Sequence, residues 1–450
     1  MKLPLSSLAM ALLLGTSACA SYAPRPLTDA PAALADPVVS VLEEKASKIE
    51  RPWLKPVNVD LSAPLSPNSL AAIAVVNNPD LVALRARTGV ADAQVFAAGL
   101  LPDPTFSIGT NKVLSGPDTL LDVAGALGFD LNALRTRAVK REMAGAQDRQ
   151  VRLDLAWAEW QTAGQARLQA VRIARLERIV ELAGASRTSA ATLLDRIARA
   201  TRRGDLPGDR LQAASTALQS ADATLATARR DLATAQGELR RQLGLPPDSP
   251  LALAAPAPIT ASPPATETLF ALARANRTDL AALREGYAAQ EASVHQAVLD
   301  QFPNLTLTLN SQRDSAGNLL AGPAVDFTLP LWNRNRGVIR TERATREALK
   351  AEYDARLFQT RTDIAAAESG IAVALQRRQQ AQAGLGRLAD FARSSTQAAS
   401  RGDVSWETAQ LAEQTLRDRQ TTIAQAEQDL SEQMIALELL TGTPQEAWTQ

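Results

Sequence analysis

The chain has 450 residues, 46% of them hydrophobic, with Lys plus Arg equal to Asp plus Glu at 48 each. That hydrophobic content excludes general disorder, and the even charge balance removes the basic excess that a nucleic-acid partner would require. One histidine, His295, and one cysteine, Cys19, exclude a His/Cys metal cluster and any Ser/His/Asp or Cys/His set that does not lean on that histidine. No phosphate-cradling glycine loop is present either, so neither catalytic residues nor a metal or cofactor is expected.

In chain order, Lys2 and the apolar run "LSSLAMALLLGTSA" read as a signal peptide over residues 1–18. Thr16-Ser17-Ala18-Cys19 resembles a bacterial lipoprotein box, which makes Cys19 the expected site of lipidation, a palmitate-type acyl chain on the first residue of the mature chain. Ala20 follows it in place of the Asp of an inner-membrane retention signal, which favours the outer membrane. Beyond residue 18 no run is long and apolar enough for a transmembrane helix. Residues 19–64, proline-bearing and poorly periodic, read as an N-terminal extension.

The rest of the chain repeats itself. "NNPDLVALRA" at Asn77 returns as "NRTDLAALRE" at Asn276, 199 residues later. At the same offset Pro104, Phe106, Ile108 and Asn111 fall on Pro303, Leu305, Leu307 and Asn310. "RGDL" at Arg203 matches "RGDV" at Arg401, and "GLP" at Gly244 matches "GTP" at Gly442. Two halves follow, 65–245 and 265–450, joined by a proline-rich linker over 246–264 that cannot continue a helix.

Each half reads as helix, strand, strand, long helix, turn, helix. No proline occurs between Pro117 and Pro207 or between Pro330 and Pro444, and these stretches are rich in strong helix formers. Helices are expected over 66–99, 141–202 and 207–243. In the last of these, Leu211, Leu218, Leu225, Leu232 and Leu239 recur every seven residues, with Ala214, Ala221, Ala228 and Ala235 three further on, a Leu/Ala heptad that lets helices approach closely. Ala409, Leu416, Ile423, Leu430 and Leu437 keep that register in the second half. Alone, such a stripe is equally a generic antiparallel coiled coil.

Two hairpins are expected, Pro104 to Leu134 and Pro303 to Trp332, with tips near Ser115 and Asp314. Leu305, Leu307 and Leu309 share one face and Thr306, Thr308 and Asn310 the other; Val325, Phe327 and Leu329 oppose Asp326 and Thr328; Leu127, Phe129 and Leu131 alternate with Gly128, Asp130 and Asn132. Strands of about ten residues, apolar on one face, suit a membrane barrel as well as a small sheet packed on a helix. Four strands cannot close a barrel, so the membrane reading requires several copies of the chain.

The "RRGDLPGD" and "SRGDVSWE" turns are helix breaks whose Gly is followed by Asp or Ser caps. His295, on a helix before the second hairpin, reads as solvated or structurally bonded.

The duplicated layout, with "LLPDPTFSIG", "DQFPNLTLTLN" and "FTLPLWNRNRGVI" leading into and out of the strands, resembles the TolC family of outer-membrane efflux proteins and, more loosely, its metal-cation efflux branch. Asn132 departs from the pattern by standing where the second half has Pro330. The resemblance covers residues 65–445 and implies a mainly α chain with a β-barrel portion: a homotrimer in which four strands per chain close a twelve-stranded barrel over a helical periplasmic tunnel. It implies a lipid-anchored channel in a Gram-negative outer membrane, in contact with outer-membrane lipid, passively conducting substrate from an inner-membrane pump, expected to be proton-driven, through a periplasmic adaptor protein. Arg203, Gly204, Asp205, Leu206, Arg401, Gly402, Asp403, Val404 and Trp406 become the adaptor-contacting tip, with Trp406 exposed for docking. Thr306, Thr308 and Asn310 become pore-lining, as do Asp130 and Asp326, which either bias the pore toward cations or are simply solvated. The duct of a type I protein secretion system and a periplasmic coiled-coil scaffold lipoprotein are the alternatives.

Overall fold

The computed structural model describes residues 22–27, 29, 39–112, 114–115, 121–255, 263–314 and 317–448. The expected signal peptide and Cys19 lie outside the described residues. Met1–Pro37 is one unit and Val38–Gln450 the other, which carries every helix and strand among the described residues.

A short helix, α1 (Val39–Ser47), precedes α2 (Pro67–Asn77) and α3 (Pro79–Gly99). The single helix expected over 66–99 is thus two. Pro79 disfavours helical backbone at the residue before it, and Asn78 uses the break to cap α3, accepting from the N–H of Asp80 at 2.9 Å and of Leu81 at 3.1 Å. Strands β1 (Thr105–Lys112) and β2 (Leu121–Asp130) form the first hairpin. The rod α4 (Leu131–Arg202) follows without a loop, 72 residues and roughly 110 Å long at 1.5 Å per residue. It starts before Arg141 because Asp130 caps it, accepting from the N–H of Asn132 at 2.9 Å and of Ala133 at 3.1 Å. The return helix α5 (Gly208–Leu243) ends on Gly244 in the left-handed conformation.

The second half repeats this order with α6 (Thr266–Asn276), α7 (Thr278–Leu299), β3 (Leu305–Arg313), β4 (Leu319–Phe327), α8 (Arg336–Gln382), α9 (Leu385–Arg401) and α10 (Trp406–Thr441). Its rod is broken at Ala383-Gly384, where Gly384 has φ 78°. Two glycines in "GLG", each about 1 kcal/mol poorer than Ala in a helix, weaken that turn.

The four strands make one antiparallel sheet in the order β1-β2-β3-β4. The helices line up beneath it in the same order: α4 packs between α3 and α7 near the sheet and between α5 and α10 further away, and α8 packs on both α7 and α10, with α9 on α10. Four columns result, and the outer two, α3 over α5 and α8 running into α9, have a neighbour on one side only. The heptad stripe of α5 is its seam against α4: Ala214, Leu225, Ala228, Ala235 and Leu239 are buried.

Two core clusters sit where the short helices stack on the return helices. The first gathers α2, α4 and α5 with Leu42, Ala46, Ile49, Leu54 and Val59 of the N-terminal extension, and the second gathers α6, α8 and α10 with Trp448. The linker crosses the first, Leu65 pairing with Ala252 and Ala254 through backbone hydrogen bonds of 2.9 and 3.0 Å; residues 256–262 lie outside the described residues. The duplicated motifs meet here. Asn77 Nδ2 donates to the carbonyls of Leu243 and Gly244, both at 2.9 Å, and Arg277 Nη1 donates to Leu440 at 3.3 Å.

Candidate functional site

Strand register sorts the sheet into two faces. On one, Phe106, Leu127, Leu309 and Pro323 form a row, followed by the row Phe129, Leu307 and Val325 and then Leu305 with Phe327. On the other, Thr306 lies between Asp130 and Asp326, Thr308 between Gly128 and Ala324, and Asn310 between Ala126 and Gly322. All five expected pore-lining residues therefore share one face, Thr308 Oγ1 donating to Asp326 Oδ2 at 3.4 Å. Asp130 has a second task that Asp326 lacks, as the cap of α4.

The apolar face is bare. Phe106 is 73% exposed, Ile108 71%, Leu319 74% and Phe327 56%. An uncovered apolar face of this extent marks contact with lipid or protein. Along β4 the apolar positions run from Leu319 to Phe327 and on to Leu329, about 33 Å at 3.3 Å per residue, or roughly 25 Å of height at a usual barrel tilt. That is the height of a membrane barrel's apolar band. The outer strands β1 and β4 each have one partner, so both edges of the sheet offer unpaired backbone. Among the described residues no helix is long and apolar enough to cross a membrane.

At the far end of the helices the two "RGD" turns adopt the same conformation. Gly204 and Gly402 have φ 81° and 85°; the Asp205 and Asp403 N–H groups donate to Ala200 and Ala398, both at 2.9 Å; and Arg203–Asp205 and Arg401–Asp403 form ion pairs of 2.8 and 2.9 Å within each turn. Arg210 reaches Glu407 at 3.3 Å and ties the starts of α5 and α10 together. Leu206 and Trp406 line one groove of about 350 Å³ between the turns. All nine expected tip residues thus lie at one end. Trp406 departs from expectation in being half-buried: the Arg196 guanidinium covers its ring at 3.3 Å, a cation–π contact that takes one face out of solvent.

The site that sequence reasoning missed is a buried carboxylate. Glu159, 1% exposed in mid-α4, receives Arg51 of the N-terminal extension at 2.6 and 2.9 Å and Arg85 of α3 at 2.7 Å. Burial alone would push its carboxyl up, yet the two guanidiniums hold it below the usual carboxylate range. Trp53 packs edge-on against Trp160 beside it, centroids 5.0 Å apart. Glu438 of α10 goes the other way, pushed up by burial, which Arg167 at 2.7 Å offsets only in part. His295 is exposed, and among the described residues no group of three or more His, Cys, Asp or Glu side chains is placed to hold a metal ion.

Residues 269–443 match the family model of outer membrane efflux proteins. No curated protein matches the chain. Among solved structures, the transmembrane channel CusC is 16% identical over 89% of this chain and 99% of its own, with a TM-score of 0.68. The CmeC outer membrane channel of Campylobacter jejuni is 14% identical over 84% and 85%, TM-score 0.72, and the outer membrane protein VceC of Vibrio cholerae 18% over 84% and 96%, TM-score 0.68. At these identities the likeness is one of fold, a mostly helical chain with a few antiparallel strands.

Proposed function

We propose that the chain is the outer-membrane duct of a tripartite efflux system, a reading supported by the match of residues 269–443 to the outer membrane efflux protein model and by a fold like those of solved outer-membrane channels. It passively conducts what an inner-membrane pump and a periplasmic adaptor deliver. The observation that carries this reading is the sheet: an exposed apolar face and a polar face in register, with two open edges, standing on four helix columns in the same order. A sheet built to pack on a helix would cover its apolar face, and this one does not.

Three copies joined edge to edge, β4 to the next β1 and α8–α9 to the next α3–α5, close both sheet and columns. Twelve strands then satisfy every edge, where four cannot. Phe106, Leu309 and Phe327 face lipid; Thr306, Thr308, Asn310, Asp130 and Asp326 face the water-filled pore. The two "RGD" turns meet the adaptor, and Cys19 carries the lipid anchor. The test is to purify the full-length protein from outer membranes in detergent and measure its oligomeric mass and its single-channel conductance in a planar bilayer. A conducting trimer is the expected result. A non-conducting monomer or dimer returns the chain to the scaffold reading.

A further inference from the structure

The turn between β4 and α8 breaks a conformational rule that its counterpart in the first half avoids. There, β2 passes directly into α4 through the Asp130 cap. Here residues 328–335 intervene, and Arg334 and Asn335 are both left-handed, φ 47° and 53°. Asparagine tolerates this conformation, and Asn335 Nδ2 fastens the turn by donating to the Ala297 carbonyl at 2.8 Å. An arginine does not tolerate it well, because its Cβ crowds the following carbonyl oxygen. A residue kept against its backbone preference, with its side chain exposed, points to a use for that side chain.

Arg334, Arg336 and Arg340 are all exposed, and among the described residues none has an acidic partner. Their counterparts 199 residues earlier, Arg135, Arg137 and Arg141, give the contrast. Arg135 binds Asn132 and lies 5.8 Å from the Phe302 ring, and Arg137 donates to the Gly99 carbonyl at 2.8 Å. Directly before the free arginines stand Leu329 and Leu331, 61% and 60% exposed, and Trp332, 90% exposed. From strand to helix the surface therefore passes from apolar β4 to an aromatic ring to three unpaired guanidiniums. That is the order of a bilayer read from hydrocarbon to headgroup.

We propose that this turn binds the phosphate of an anionic glycerophospholipid in the leaflet nearest the helices, with Arg334, Arg336 and Arg340 on the phosphate and Trp332 at the acyl–glycerol boundary. Guanidinium suits the task, since its planar donors meet phosphate oxygens in pairs. The inference rests on the membrane reading of the sheet.

The experiment is native mass spectrometry of the detergent-purified full-length protein titrated with phosphatidylglycerol or with phosphatidylcholine of the same acyl chains, with conductance measured in parallel. The wild type is expected to hold phosphatidylglycerol at least about tenfold more tightly, from the roughly fivefold that each arginine contributes at an anionic surface. The Arg334→Gln/Arg336→Gln/Arg340→Gln variant is expected to lose that preference while still conducting, and Trp332→Ala to weaken both lipids alike. A conducting wild type with no headgroup preference overturns the proposal and leaves the channel reading intact. So does a variant that keeps the preference but loses its oligomer, which would assign the arginines to a neighbouring copy. A wild type that neither assembles nor conducts removes the channel reading and this one with it.

Discussion

The two halves of the chain share lengths almost to the residue, with short helices of 11 and 11, upper helices of 21 and 22, and return helices of 36 and 36, yet they solve different problems. The first half has an unbroken rod with a buried carboxylate in its middle; the second has a rod broken at Gly384 and a loop before it. Arg85 and Arg284 show how far a repeated residue can diverge. Arg85 neutralises Glu159, whereas Arg284 is exposed and forms no ion pair among the described residues. Repetition preserves the column and its length, while the partner of each side chain is set by what packs beside that column.

The largest difference between the halves should appear on Glu159→Gln. Leaving two guanidiniums without their buried anion should cost about 3–5 kcal/mol, whereas Arg284→Ala should stay within about 0.5 kcal/mol. Denaturant unfolding of the detergent-solubilised protein measures both. The pH dependence follows from a carboxyl held low in the folded state: Glu159 contributes fully above its unfolded pKa and loses that contribution as pH falls through the folded one. The gap between wild type and Glu159→Gln should therefore close in acid. Glu438, held high, has the opposite sign, so Glu438→Gln should be neutral or stabilising at neutral pH.

Much of this architecture is legible in the sequence because it is written in periods. The seven-residue Leu/Ala stripe marks the seam of α5, the two-residue alternation marks the faces of β3, and the duplicated "NNPDL" and "GLP" segments are each other's partners at Asn77 and Gly244. The breaks at Asn78 and Gly384 are local punctuation that a long helical period overrides. Glu159 was illegible for another reason. An acid in an Arg-rich helix reads as a surface ion pair, and only the docking of Arg51, 108 residues away, makes it a buried one.

Next in size, the two sheet faces should respond oppositely to one charge. Leu309→Arg sets a guanidinium on the apolar face, at about 2–4 kcal/mol near a bilayer midplane, and should abolish assembly in the outer membrane. Thr308→Arg, one residue away on the polar face, should assemble and change only conductance and ion selectivity. Where the short helices stack on the return helices, the paired glycines set the halves apart again. A Cβ at Gly244 would overlap the Asn77 carbonyl oxygen, whereas at Gly442 it would sit 3.2 Å from Arg277 Cα, both at left-handed φ. Gly244→Ala should thus cost about 2–4 kcal/mol and Gly442→Ala about 1–2 kcal/mol in the same unfolding measurement.

The smallest effect separates two aspartates that flank the same threonine. Asp130 both lies on the polar face of the sheet and caps α4, while Asp326 does only the former. Asparagine caps a helix as well as aspartate, so Asp130→Asn removes charge and leaves the cap, whereas Asp130→Ala removes both and should cost about 1 kcal/mol. Neither Asp326→Asn nor Asp326→Ala should change stability by more than about 0.5 kcal/mol. In conductance all four should lower the preference for cations to a similar degree, since each removes one carboxylate from the same row. A selectivity change confined to the Asp326 variants would mean that Asp130 is spent on its helix, and that the two halves divide structure and permeation between them at this row.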